Sequence, residues 1–191
     1  TYSWTANTAG SISGSTTNSI VVITPTTNTT YSVTINQPNG CSIDTYTRSI
    51  IVNPTPPITS ANTATVCSGS PLAFGLSSSI PSSFSWIAAD NPNTNGESTN
   101  AVSSEIINNT IINTSTVTQS VIYSVTPTSV LGSCAGATQI LTVSVIPLPS
   151  PTITSSSSIC LGSSLTFTGT GASTYTWATG AGGGLSLSSG S

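Results

Sequence analysis

Apolar and hydroxyl-bearing side chains alternate along much of this chain, with a period of two. Residues 30–35 read Thr-Tyr-Ser-Val-Thr-Ile, and residues 121–126 read Val-Ile-Tyr-Ser-Val-Thr. Residues 140–145 (Ile-Leu-Thr-Val-Ser-Val) and 164–167 (Ser-Leu-Thr-Phe) follow the same rule. Successive side chains of a strand point to opposite faces, so the pattern predicts half-buried strands. Val121, Tyr123 and Val125 fall on an inner face, and Ser124 and Thr126 on an outer one. Thr suits that outer face, because its β-branch fits the pleat while its hydroxyl stays hydrated. No window carries a 3.6-residue apolar stripe, so the expected class is all-β.

Proline punctuates the strands. Pro54, Pro56 and Pro57 recur as Pro147, Pro149 and Pro151, each cluster just after a Val/Ile-rich run. Proline cannot donate to a ladder and fixes its own φ, so these clusters end strands and act as semi-rigid connectors. They place boundaries at about 54 and 147. Residues 1–53 then form the C-terminal part of one domain, 54–146 a complete domain, and 147–191 the N-terminal part of a third. The middle unit holds seven strand candidates, near 57–60, 63–67, 71–76, 83–88, 103–113, 118–127 and 135–146. That number in one small unit predicts an immunoglobulin-like β-sandwich, with Trp86 anchoring the core between the sheets.

The cysteines lie on one ruler. Cys41 to Cys134 and Cys67 to Cys160 are both 93 residues, and Cys41 to Cys67 and Cys134 to Cys160 are both 26. Tyr31 recurs 92 residues on as Tyr123, and the aromatic-Ser/Thr-Trp triplet ending at Trp4 returns at Trp86 and Trp177. A period of this length is one small domain, so the chain reads as a tandem array. Trp4, Trp86, Trp177, Tyr31 and Tyr123 are its expected core anchors. Only Cys67 and Cys134 fall inside the complete domain, so they are the expected disulfide, closing a loop for about 4 kcal/mol. Cys41 and Cys160 are expected to pair with cysteines outside this chain, or Cys41 with Cys67 across a boundary. With no CxxC spacing and no His, a zinc site is not expected, and disulfides place the protein outside the cytoplasm.

Composition narrows the function. Ser and Thr exceed a third of the 191 residues, yet 36% are hydrophobic, which separates the chain from a disordered Ser/Thr-rich stalk. Charged residues are 3%, Arg48 is the sole base, and the net charge is −3. That leaves no basic patch for nucleic acid or for an anionic membrane, and no apolar run long enough to span a bilayer.

A hydrolytic triad needs a base, and there is no His or Lys to act as one. The four carboxylates are Asp44, Asp90, Glu97 and Glu105; the last three sit in an Asn/Thr/Ser-rich stretch that reads as a solvated loop. Residues 90–97 (Asp-Asn-Pro-Asn-Thr-Asn-Gly-Glu) imitate a calcium loop poorly. With Gly96 in the sixth place the first is Asn91, and the twelfth, which needs a bidentate Glu, is Val102. No catalytic residue, cofactor or metal is expected. Sequons stand at Asn28, Asn108 and Asn113, where chance triplets are common, and the Gly-rich run 180–184 reads as a hairpin or loop.

The Phe-Ser-Trp triplet at 84–86, the 90–99 loop and the Tyr-Ser-Val-Thr-Pro-Thr-Ser run from Tyr123 resemble PKD-like repeats. So does the Leu-Thr-Val-Ser-Val-Ile-Pro-Leu-Pro run ending at Pro149. Such repeats occur in giant cell-surface proteins of Bacteroidetes. The resemblance covers 54–151 best; residues 1–53 lack about ten residues between Trp4 and Tyr31. It implies tandem PKD-like sandwiches in a long secreted protein of the adhesin or gliding-associated kind, exported by type 9 secretion. The resulting expectation is a non-catalytic spacer or stalk at the cell surface. Its partners would be neighbouring repeats, secretion or surface-anchoring machinery and laterally associated copies, without nucleic acid or membrane insertion. The alternative is a carbohydrate- or surface-binding module. The resemblance carries no site residues with it.

Overall fold

The computed structural model describes residues 1–9, 11–35, 37, 44–155 and 158–177, and every regular element among them is a strand. The N-terminal unit comprises β1 (Tyr2–Ala6), β2 (Ile12–Ser13), β3 (Val22–Ile23), β4 (Thr29–Ile35) and β5 (Asp44–Ile50). The central unit comprises β6 (Thr63–Cys67), β7 (Phe74–Gly75), β8 (Ser82–Ala88), β9 (Thr94–Asn95), β10 (Val102–Ser103), β11 (Ile106–Ile107), β12 (Ile112–Asn113), β13 (Gln119–Ser129) and β14 (Gln139–Ile146). β15 (Thr152–Thr154) and β16 (Thr168–Thr170) follow.

The main sheet of the central unit has the order β10-β8-β13-β14-β6. Its pairs are antiparallel except β14 with β6, which run parallel. Alternation does what the sequence predicts. Phe84, Trp86 and Ala88 of β8, Val121, Tyr123 and Val125 of β13, and Leu141, Val143 and Val145 of β14 are all buried. Each fully buried side chain of this size contributes roughly 1.5–3 kcal/mol. The opposing layer is built from the short pairs β7–β11 and β9–β12. Ile107 and Ile111 enter the same core cluster from it, with Leu72, Phe74 and Leu76 packed alongside. Trp86 meets Tyr123 edge-on, with ring centroids 5.8 Å apart. This two-layer, all-β arrangement is consistent with an immunoglobulin-like sandwich.

Several strand candidates are shorter or more broken than the alternation suggests. Residues 57–60 contribute only the bridge of Ile58 with Ser78. The stretch 103–113 divides between β10, β11 and β12, and between the first two the Ser104 hydroxyl turns the chain, donating to the carbonyl of Ile106 and accepting its N–H. The β13–β14 ladder stops at Val125 with Gln139, two residues before Pro127, which has no N–H to give. Residues 164–167 lie outside any ladder, and the strand begins at Thr168. Of their counterparts in the central unit, residues 71–74, Phe74 pairs with Ile107 of β11 and Pro71 bridges Thr110.

The N-terminal sheet, ordered β1-β4-β5, repeats the register of β8-β13-β14. Trp4 faces Val33 and Ala6 faces Tyr31, as Trp86 faces Val125 and Ala88 faces Tyr123. Tyr31 faces Arg48 and Val33 faces Tyr46, as Tyr123 faces Leu141 and Val125 faces Gln139. In place of the longer central connection, the β2–β3 hairpin closes over Trp4. The Trp4 backbone donates to Thr16 O and its indole Nε1 to Asn18 O, while Tyr31 is buried and donates its hydroxyl to Ser11 O. Beyond the central unit, Ile153 pairs with Gly169 much as Ile58 bridges Ser78. Trp177 packs there with Phe167 and Tyr175, at centroid distances of 6.4 and 6.5 Å.

Candidate functional site

The 90–97 segment is built of turns rather than of ligands. Asn91 Oδ1 accepts from Asn93 N, and Asn91 Nδ2 donates to Ser120 O. Gly96 holds φ at 98°, and a Cβ there would overlap the carbonyl of Thr110. Asp44, Asp90 and Glu105 are exposed. Glu97 departs from the solvated loop expected of it. It is half-buried, and its Oε1 accepts from Thr94 Oγ1 at 2.7 Å and Asn91 N at 3.2 Å, while Oε2 is buried without a protein partner. The carboxylate is thus spent on shaping the turn. Nearby, the Tyr123 hydroxyl donates to Asn109 Oδ1 at 2.9 Å, and Asn109 Nδ2 donates to Ser98 Oγ. Burial, with the Glu97 charge adding to it, pushes the Tyr123 phenol well above its ordinary range. That tyrosine stays neutral and serves packing. Among the described residues, no three of His, Cys, Asp or Glu gather as metal ligands would.

The distinctive built features are the two ends of the central sandwich. At the β13–β14 hairpin, Ser129 Oγ accepts from Cys134 N and donates to Leu131 O, and Ser129 N donates to Cys134 O. The proline connector lies against this hairpin. Pro56 is fully buried, and a Cβ on Gly136 would overlap its carbonyl and crowd Pro127. A Cβ on Gly132, which holds φ at 79°, would overlap the Asn53 side chain. The chain therefore reaches the sandwich along a fixed path at its hairpin end.

It leaves from the other end. Ile146, the last residue of β14, accepts from Ser68 N just after β6. Ser68 Oγ accepts from Asn113 N, and Asn113 Nδ2 donates to Val145 O and Val117 O. Asn113 is buried with both amide hydrogens in use, so its sequon is no glycan site. Gln139 to Ile146 spans about 24 Å at strand rise, which sets the distance between the ends.

This geometry overturns the expected disulfide. Cys67 and Cys134 are both free, as is Cys160. Cys67 lies opposite Ile146 at the far end of β14, whereas Cys134 precedes Ala135, which bridges Thr128 at the hairpin end. A disulfide needs Cα atoms within about 7 Å, and these thiols flank opposite ends of one strand. Cys41 and residues 180–184 lie outside the described residues. Of the expected anchors, Trp86, Tyr123 and Tyr31 are buried, and Trp4 and Trp177 are partly buried. The sequence carries no sign of the roles of Asn53, Gly132 and Gly136, and of Asn113 it shows only a sequon.

Comparison with known families identifies a PKD-like domain at residues 64–149. The match spans β6 through β14 and the first residues beyond. Such a module is typically non-catalytic. No curated protein matches the chain.

Proposed function

We propose that this chain is a run of like β-sandwiches acting as a spacer in a long secreted, cell-surface protein of the adhesin or gliding-associated kind. The observation that carries the reading is the shared register of β1-β4-β5 and β8-β13-β14, which supports taking residues 1–53 as the trailing part of a second such sandwich. Hairpin-end arrival and far-end departure suit an end-to-end string, and rigid prolines limit bending at each joint. The PKD-like match and the near absence of basic residues, hence of trypsin-type cleavage sites, favour an exposed shaft. Export by type 9 secretion and anchoring by surface machinery belong to the same reading, on the resemblance to Bacteroidetes repeats.

Single-molecule force spectroscopy of the chain tests it. Residues 54–146 should unfold as their own event, releasing about 30 nm of contour. One cooperative event spanning the whole chain would refute the spacer.

A further inference from the structure

The five-stranded sheet of the central unit ends on two edges of opposite character. β10, at one edge, offers only Val102 and Ser103 before the Ser104 turn, and the exposed Glu105 comes next along the chain. A short strand and a nearby charge keep such an edge from pairing with another chain. β6, at the other edge, has neither guard. Its residues Thr63–Cys67 include no charge and no proline, pair with β14 in unbroken register, and have no strand on their outer side among the described residues. Both β14 and the opposing layer are in place around it, so this edge belongs to the complete sandwich. Thr142 N donates to Asn62 O and Ser68 N to Ile146 O, so Ala64 and Val66 turn their backbone groups toward β14. Those of Thr63, Thr65 and Cys67 turn outward, and of these Cys67 O accepts from Ser70 N in the turn that follows. The side chains alternate in step: Thr63, Thr65 and Cys67 are exposed, whereas Ala64 and Val66 are half-buried against the core.

We propose that β6 is the lateral contact of this protein with a second copy of itself. Two β6 strands pair antiparallel about a two-fold axis at Thr65, joining the two main sheets into one. Thr65 N of each copy donates to Thr65 O of the other, and Cys67 N donates to Thr63 O. Thr65 then opposes Thr65, Thr63 opposes Cys67, and Ala64 opposes Val66, so these half-covered apolar side chains close over one another on the core side. Opposed hydroxyls are how this chain already joins its strands. Thr126 Oγ1 meets Thr138 Oγ1 at 2.7 Å, Thr34 Oγ1 meets Thr45 Oγ1 at 3.1 Å, and Thr30 Oγ1 meets Ser49 Oγ at 2.9 Å. An uncharged strand of alternating Thr therefore matches its own copy and gives an acidic or basic partner nothing to hold. Asp90 after β8 and Glu105 after β10 belong to the strands furthest from β6, so the copies meet without like-charge repulsion. The proposal concerns the complete sandwich and does not rest on the spacer reading.

The test uses the full chain. Sedimentation velocity over a concentration series should show a monomer–dimer equilibrium. Thr65→Lys sets two ammonium groups opposite each other, and Thr65→Pro removes an N–H that β14 does not use. Each should weaken the dimer about tenfold or more, while the urea midpoint of the core, read by tryptophan fluorescence of the monomer, stays in place. The register is read separately in oxidised glutathione, in a chain carrying Cys41→Ser, Cys67→Ser, Cys134→Ser and Cys160→Ser. Adding Thr65→Cys to that chain should give a disulfide-linked dimer joined 65 to 65. A chain that instead keeps Cys67 as its sole thiol should not link, because its two sulfurs would stand out of register by about 13 Å. A monomer at every concentration, a dimer that both Thr65 variants leave intact, or 67-to-67 links as abundant as 65-to-65 links would each overturn the proposal.

Discussion

Removing the hydroxyl of Tyr123 should weaken the sandwich at neutral pH and relieve it of a liability at high pH. The ring is fully buried at the centre of β13, and its hydroxyl donates to Asn109 Oδ1 at 2.9 Å. Tyr123→Phe deletes that bond and leaves Asn109 Oδ1 without its donor. Asn109 is half-buried, which puts the loss near the lower end for such groups, about 1–1.5 kcal/mol. In a unit of this size that lowers Tm by about 4–8 °C per kcal/mol. The high-pH behaviour follows from the phenol being held above its ordinary range by burial and by Glu97. The folded-state pKa is raised, so above about pH 10 the unfolded chain releases a proton that the folded chain keeps. Wild-type stability then falls by up to about 1.4 kcal/mol per pH unit, while the Phe variant has no such proton to lose.

The two stability curves should therefore run parallel below pH 10, converge above it, and meet near one unit higher. Urea titrations followed by Trp86 fluorescence, in a Trp4→Phe, Trp177→Phe background, read both arms. The other tyrosines contribute equally to both proteins and cancel. A gap that stays constant from pH 8 to pH 11 would refute the buried, charge-shadowed phenol. Full stability of the variant at pH 7 would refute the hydrogen bond.

Three further outcomes follow from the same geometry. Trp86→Ala should cost about 3–5 kcal/mol, because it empties a core site that several strands line, and chemical denaturation reads this directly. Gly136→Ala should destabilise the unit by about 1–3 kcal/mol through overlap with the Pro56 carbonyl, and should raise proteolysis at the 53–57 connector. Glu97→Ala should cost about 1–2 kcal/mol by freeing Thr94 Oγ1 and Asn91 N, with faster amide exchange confined to 90–98.

Much of the fold was legible because one physical rule governs it. A strand with one wet face must alternate, and β8, β13 and β14 do so without a break. What failed to show was decided by groups that look alike in sequence. Ser104 is one serine among many, yet its hydroxyl turns the chain between β10 and β11. Asn113 reads as a surface sequon, yet it ties β12 to β14 from inside. Glu97 reads as a loop carboxylate, yet it holds a turn together. Even the anchors differ in detail: the indole N–H of Trp4 reaches Asn18 O, whereas that of Trp86 is buried without a protein partner.

The cysteines show most clearly where a spacing stops short of a geometry. A constant interval marks Cys67 and Cys160, and Cys41 and Cys134, as counterparts in sequence. It does not say which end of a sandwich each class occupies. The parallel pairing of β6 with β14 answers that, setting the Cys67 class where the chain departs, while the β13–β14 hairpin sets the Cys134 class where the chain arrives. In the string of units proposed above, the departing end of one would meet the arriving end of the next. The Cys67 and Cys134 classes, set at opposite ends of a unit, would then face one another across each joint. A sulfur bridge in that place would resist bending and pulling at the joint, which a clasp inside one well-packed core would not.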